Sequence, residues 1–490
     1  MGVVQKQSII VTSVSFIGVI IGAFNTLYLF PNVLGAEKHG LVMLFLSLAT
    51  VIAQFAHLGV PNTLIRFFPF LKDHKKFIYR LALQVPLMSI ALISIFFYLL
   101  GSEIFSTYIE KNQLFDDYLS VIIPLVSSLV FFEVLLSISR SELKTVFPAV
   151  LRELGLRVLT LILLVLYFIN FIDFSTFIYS WLAMYALNVF FLGLYLFNLN
   201  FLKLELGFPL FLNRNLSKKM SRYALITVLT SSAAIIVNRI DILMIGHYID
   251  LENISYYTVA FFMASLIHIP ARAILQIVKP LLAKAWAEDN FKEIILLYQK
   301  TALNQMLIGL LIFIGIWMSL DDIILFLSSE YSGIKMVFFY IGLAKLIDVS
   351  SGVNGAIIAT SKKFNYDLYI NLFLIIVTIV SNIILIPKYG MEGAAMATAL
   401  ALFIHNIIKT IVVYFTFDFQ PFNFNFIKII FIGIISYFIV NLLPFFTIES
   451  ILLRIFLRSI CITTLYLGSS IFFRVSDDVN KQIKSFLKYK

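Results

Sequence analysis

"IPKYGMEGAAMAT" (386–398) interrupts two of the most apolar stretches of the chain. Pro387, Lys388 and Gly390 read as a stop. Gly393, Ala394 and Ala397 read as a restart on side chains small enough for another backbone to come close. The expectation is a hairpin in which Pro387 ends one apolar helix and Lys388 lies in a very short loop. Gly390 takes the positive φ of a tight turn, and the next helix leaves with a small-residue face. Two long apolar runs joined by so short a turn suit a lipid environment.

The rest of the composition agrees. The chain has 490 residues, 61% hydrophobic and only 13% charged, with 50 Phe. A soluble protein carries about 25% charged residues, so this one lacks the means to build a water-facing surface and reads as an integral membrane protein. One cysteine, Cys461, rules out an internal disulfide framework and a multi-cysteine metal site, and its apolar surroundings make it a small packed hydrophobe. The N-terminal apolar run from Ser8 to Leu34 is long and lacks an Ala-x-Ala pattern, so it is expected to be a retained span rather than a signal peptide. The net charge of +10 does not point to nucleic acid, because the basic residues sit in short loops and the tail, where topology and anionic lipid account for them.

A spanning helix needs about 20 mostly apolar residues. The chain offers fourteen such runs, at 8–34, 41–69, 78–100, 118–139, 150–170, 175–198, 220–246, 253–283, 295–320, 331–358, 366–387, 391–417, 424–446 and 450–474. Alternate connections at 70–77, 140–153, 199–222, 279–294, 359–366 and 475–490 hold twenty Lys and Arg. The opposite connections hold only Lys38, Lys111 and Lys388. Positive residues collect on the cytoplasmic side, so both termini are expected there. The expected fold class is therefore an all-α polytopic membrane protein of about fourteen transmembrane helices. The basic linker 201–219 divides it into an N-lobe, 1–200, and a C-lobe, 220–417, of six spans each. Spans 13 and 14 (424–474) follow as an appendage, with a basic cytoplasmic tail at 475–490.

Enzyme signatures are missing: no Gly-rich phosphate loop, no His-x-x-x-His pair and no Gly-x-Ser-x-Gly elbow. No nucleotide-binding domain is present to power a primary pump. Repeated halves are common in secondary transporters, whose substrate sits between them near the midplane. Charge inside the spans then becomes the main clue, since an ionisable residue at the bilayer centre costs about 2.5–3.5 kcal/mol. The deep candidates are Glu133, Arg239, Asp241, Arg272, Lys345 and Asp348, with Arg66 and Lys409 shallower. Lys345 and Asp348 share a helix face and are spaced to neutralise each other. Arg66 can either snorkel to the headgroups or face a cavity. Arg239, Asp241 and Arg272 form either an Arg272–Asp241 pair between neighbouring helices, which leaves Arg239 unpaired, or a cationic substrate site. His57, His247, His268 and His405 are either proton carriers or packed rings. The balance leans cationic, which suits phosphate or pyrophosphate, because guanidinium binds such oxygens in bidentate fashion.

Asn382 and "LIPKYGMEGAAMAT" (385–398) resemble a signature of the polysaccharide-biosynthesis flippases, the O-antigen and capsule repeat-unit flippases of the multidrug/oligosaccharidyl-lipid/polysaccharide (MOP) exporter superfamily. The match falls on Asn382, Ile386, Pro387, Tyr389, Gly390, Gly393, Ala394 and Ala395. "LGAEKHG" (34–40), "LGVPNTLIRFFP" (58–69) and "RIDILMIGHY" (239–248), with Tyr257, Ala260 and Pro280, resemble further parts of the same pattern. The resemblance implies two six-helix lobes plus two C-terminal helices, and a non-enzymatic flippase in the bacterial inner membrane. Its cargo would be an undecaprenyl-pyrophosphate-linked oligosaccharide, moved to the outer leaflet by alternating access. Its partners would be that lipid, the bilayer and the polysaccharide polymerase and chain-length machinery. No cofactor is implied beyond proton or sodium coupling. The anionic head would lie in a cationic cavity, which carries over to Arg239, Arg272, Arg66 and Lys345. Asp241, Glu133 and Asp348 are left for coupling or charge pairing. A multidrug or cation antiporter of the same superfamily, a lipid II or teichoic-precursor flippase, and a non-transporting scaffold are the competing readings.

Overall fold

The computed structural model describes residues 3–71, 74–202, 214–327, 329–476 and 480. Most of the 201–219 linker and of the 475–490 tail therefore lies outside the described residues. Among the described residues every regular element is helical, as a backbone in hydrocarbon requires, because a helix satisfies its own N–H and C=O groups. Among the described residues nine helices are long and apolar enough to cross a membrane, and up to twelve if each of three bent pairs counts as one span. The bends are 52° between 215–233 and 235–248, 48° between Leu251–Ser265 and His268–Ala287, and 50° between Glu330–Ser350 and Asn354–Thr360. At the last bend Gly352 has φ +65°, and a Cβ there would press on Ala302 at 2.9 Å, so the close approach and the backbone conformation both demand glycine. Large side chains face outward, Tyr98 at 88% and Leu442 at 85% exposure among them. That is the surface of a protein whose solvent is lipid.

The 386–398 stretch behaves largely as its sequence suggests. One helical run covers Asn365–Phe417, 53 residues or about 80 Å at 1.5 Å per residue, far longer than a bilayer is thick. It breaks at Gly390, with φ 61° and ψ −140°. Pro387, expected to end the first helix, instead lies inside it, so Gly390 alone makes the break. Beyond it, a Cβ on Gly393 would collide with the Leu385 carbonyl, and Ala394, Ala395 and Ala397 are fully buried.

The chain packs as two units, 1–255 and 256–490. In the first, Leu64, Phe68, Phe77, Tyr79, Val134, Ile138 and Leu192 form a core among the Val60–Phe67, Lys75–Ile104, Ile122–Ser141 and Phe174–Asn198 helices. The connection 101–117 holds two short helices and is tied to other segments of the same unit: Tyr108 donates to the Leu243 carbonyl, Lys111 to the His247 carbonyl and Asn112 to Glu37. Two of these segments meet here. His39 bonds Ser255 at 2.7 Å, and a Cβ on Gly40 would overlap the Leu251 carbonyl.

In the second unit the Phe291–Leu327 helix is the spine. Leu303, Leu307 and Ile314 pack with Leu346, Ile429, Ile462 and Tyr466. The last two helices, Phe424–Asn441 and Ile451–Phe472, are thus docked on the spine rather than appended to it. Asp322, only 6% exposed, takes both Arg454 at 2.7 Å and Arg458 at 2.6 Å, and Tyr466 donates to the Leu307 carbonyl.

Candidate functional site: an arginine-lined cavity

Within the first unit a cavity of about 540 Å³ opens among the Ala36–Ala56, Ile122–Ser141, Phe174–Asn198 and Arg214–Tyr248 helices. Arg140, Arg152 and Arg239 line it against one acid, Glu133. Gln54, His57, Ser128, Tyr185, Asn188 and Ser231 add further polar groups. Gln54 donates to Ser231 and contacts His57 at 3.2 Å, so the polar wall is tied together across helices. His57 itself accepts the Gly59 N–H, which fixes the ring at the end of its helix. Such a wall offers donors from several directions, and three guanidinium groups suit phosphate oxygens.

Local structure explains why two of the arginines enter the cavity. The Ile122–Ser141 helix runs on past the expected end of its span, which places Arg140 on its last turn. The following segment starts at Val146 and contains a π-helical turn, Leu151–Gly155, that carries Arg152 and Glu153. Such turns open a helix locally and re-aim its side chains. Arg152 Nη1 reaches Glu133 Oε1 at 2.9 Å. One turn on, Arg157 pairs with Glu153 at 3.1 Å and lies against Gly18 and Gly22 of the first helix. The same Arg140 and Arg152 line a second compartment of about 650 Å³, walled also by Gln7, Ser15 and Thr145.

Of the residues picked from the sequence, Arg239, Glu133 and His57 meet in this cavity. Arg66 is exposed and stacks on Tyr223, its guanidinium 4.2 Å from the ring centre. Asp241 is buried at 3% exposure on the Arg239 helix. In the second unit Arg272 is exposed, without an ion pair among the described residues. The Lys345 ammonium lies over Phe261. Asp348 contacts His268 at 3.1 Å and accepts from Asn406 at 2.8 Å. One helix turn away, Lys409 pairs with Asp367, Asn371 donates to the same carboxylate, and His405 bonds Asn371. His247 packs on Tyr108 and Tyr248.

Arg140 and Arg152 were not expected to line a cavity, nor Arg157 to pair beside them. The first two fell in a basic connection by span counting, yet the run Arg152-Glu153-Leu154-Gly155-Leu156-Arg157 puts three charges at the start of an apolar segment, a visible signal. Among the described residues no group of three or more His, Cys, Asp or Glu converges to hold a metal ion.

No family model and no curated protein matches the chain. Solved structures do. Lipid II flippase MurJ in an inward closed conformation superposes with a TM-score of 0.77 at 17% identity, over 95% of this chain and 99% of that one. An inward-facing multidrug resistance MATE family transporter of the MOP superfamily gives 0.65 at 16%, over 83% and 97%. A MATE structure in the bent conformation gives 0.52 at 17%, over 84% and 95%. At such identities the likeness is one of fold alone.

Proposed function

We propose that this chain is a flippase of the MOP type that carries an undecaprenyl-pyrophosphate-linked oligosaccharide, an O-antigen, capsule or exopolysaccharide repeat unit, across the bacterial inner membrane by alternating access. The observation that carries the reading is the cavity of Arg140, Arg152 and Arg239 facing one carboxylate. A pump for organic cations needs the opposite polarity. Fourteen spans in two six-helix lobes plus two, with both termini cytoplasmic, complete the proposal. Two observations support this count beyond twelve. The Asn365–Phe417 run breaks into two helices at Gly390, and Val146–Phe168 is long enough to cross although it carries Arg152, Glu153 and Arg157. Proton or sodium coupling would draw on Asp241 or on the Asp348 cluster. A lipid II flippase is the second reading, favoured by the likeness to MurJ over 95% of this chain.

Deletion of the gene is the direct test. Accumulation of lipid-linked oligosaccharide in the inner leaflet with loss of surface polysaccharide supports the first reading, whereas arrested peptidoglycan synthesis with lipid II accumulation supports the second. Altered drug resistance with polysaccharide and peptidoglycan intact sinks both. Arg239→Ala is expected to abolish export while the protein still inserts at normal abundance, and Arg272→Ala tests the second unit in the same assay. Normal export in the Arg239 variant removes the cationic-cavity assignment.

A further inference from the structure

The Glu133–Arg152 pair is more open than the ion pairs at Asp322 and Asp367. Asp322 is nearly sealed between two arginines, and Asp367 is held by Lys409 and Asn371. Glu133 and Arg152 instead keep side-chain exposures of 37% and 47%, and the pair rests on the single contact between Nη1 and Oε1. The guanidinium is a fork of five donors, so this contact leaves most of the fork unused. Both groups stand in the wall of the arginine cavity, and Arg152 also faces the second compartment, where Arg140 accompanies it.

We propose that Glu133 is an internal counter-ion. It holds Arg152 in the empty cavity and gives it up to the pyrophosphate of an arriving headgroup, then takes it back when the head leaves. The inference rests on the reading that this cavity receives the anionic head. Exposed monodentate ion pairs are weak, whereas a phosphate can engage the fork through two oxygens at once, so the exchange runs toward cargo. Three arginines less one glutamate leave the cavity two positive charges in excess. A pyrophosphate esterified at both ends carries one negative charge per phosphate, which matches that surplus. A carboxylate beside the occupied site weakens cargo binding, and a carrier that must release its cargo gains from that competition. The same Arg152 also lines the compartment walled by Gln7, Ser15 and Thr145.

The test uses the purified full-length protein in detergent micelles, with inorganic pyrophosphate as the probe and calorimetric titration as the readout. Glu133→Gln is expected to tighten pyrophosphate binding about two- to fivefold, the range that corresponds to losing an exposed ion-pair competitor. Glu133→Asp restores the charge and should return affinity toward that of the unaltered protein. Arg152→Gln should weaken binding, and adding Glu133→Gln to it should change nothing further. Weaker or unchanged binding in Glu133→Gln, while Arg239→Gln still loses affinity, overturns the counter-ion role and leaves the cavity reading standing. A melting temperature that falls in Glu133→Gln together with its affinity marks the pair as a structural brace, which also overturns the role. If pyrophosphate binds the unaltered protein no better than it binds Arg239→Gln, the cavity reading and this inference fall together.

Discussion

At Gly393 a single methyl group is decisive. Its Cβ would meet the Leu385 carbonyl, backbone that cannot swing aside as a side chain would. Gly393→Ala is therefore expected to destabilise the protein by about 1–3 kcal/mol, the usual cost of overpacking, read as a lower melting temperature in micelles. An unchanged melting temperature would show that the two helix ends do not approach so closely. The glycine and its turn were legible in the sequence because turn chemistry is local: Gly390 has the positive φ that its place in the stretch suggested. Arg239 and Glu133 were legible as well, since charge deep in an apolar run stands out. Arg152 was not. Its position depends on where one helix ends, at Ser141, and on a π-turn at Leu151–Gly155, and neither leaves a mark in hydropathy.

Among the helices, charge decides how ends are fixed and how late elements attach. Asp173 caps the Phe174–Asn198 helix by accepting the Thr176 N–H at 2.9 Å. Hydrogen bonds from Thr176 hold this carboxyl below the usual carboxylate range. Because its pKa is depressed in the folded state, the cap adds stability above the ordinary carboxylate range and loses it as pH falls through the folded value. Asp173→Asn keeps an acceptor and should flatten that acid dependence of the melting temperature, whereas Asp173→Ala should lower the melting temperature at neutral pH. Nothing comparable in the sequence announced how the two C-terminal helices attach. Asp322 was not among the charged residues singled out from the sequence, yet it receives both Arg454 and Arg458. Its removal leaves two cations unpaired, so Asp322→Ala should cost more than Arg454→Ala, with about 1–3 kcal/mol expected for each charged hydrogen bond lost. The measurement is protease protection of the Ile451–Phe472 helix in micelles. Equal protection in both variants would mean that apolar packing on Leu307 and Ile314 holds the helix by itself.

The molecule as a whole reads as a lipid-solvated bundle with alternating loop charge, and the two features test each other. If positive residues mark the cytoplasmic side, Lys363 faces the cytoplasm and Lys388, at the far end of the same apolar helix, faces outward. Both side chains are exposed, so both positions can be probed. The lone Cys461 makes a cysteine-free background simple to build through Cys461→Ser. On that background Lys388→Cys should react with a membrane-impermeant maleimide in intact cells, and Lys363→Cys only after the membrane is opened. Labelling of both from outside would mean that the 365–389 helix does not cross. The break at Gly390 would then join two helices lying along the membrane, and the even span count with cytoplasmic termini would fail with it. Labelling from opposite sides ties the turn at Gly390 to the outer face and makes the small-residue helix after it a return span, the arrangement that a carrier opening alternately to each side requires.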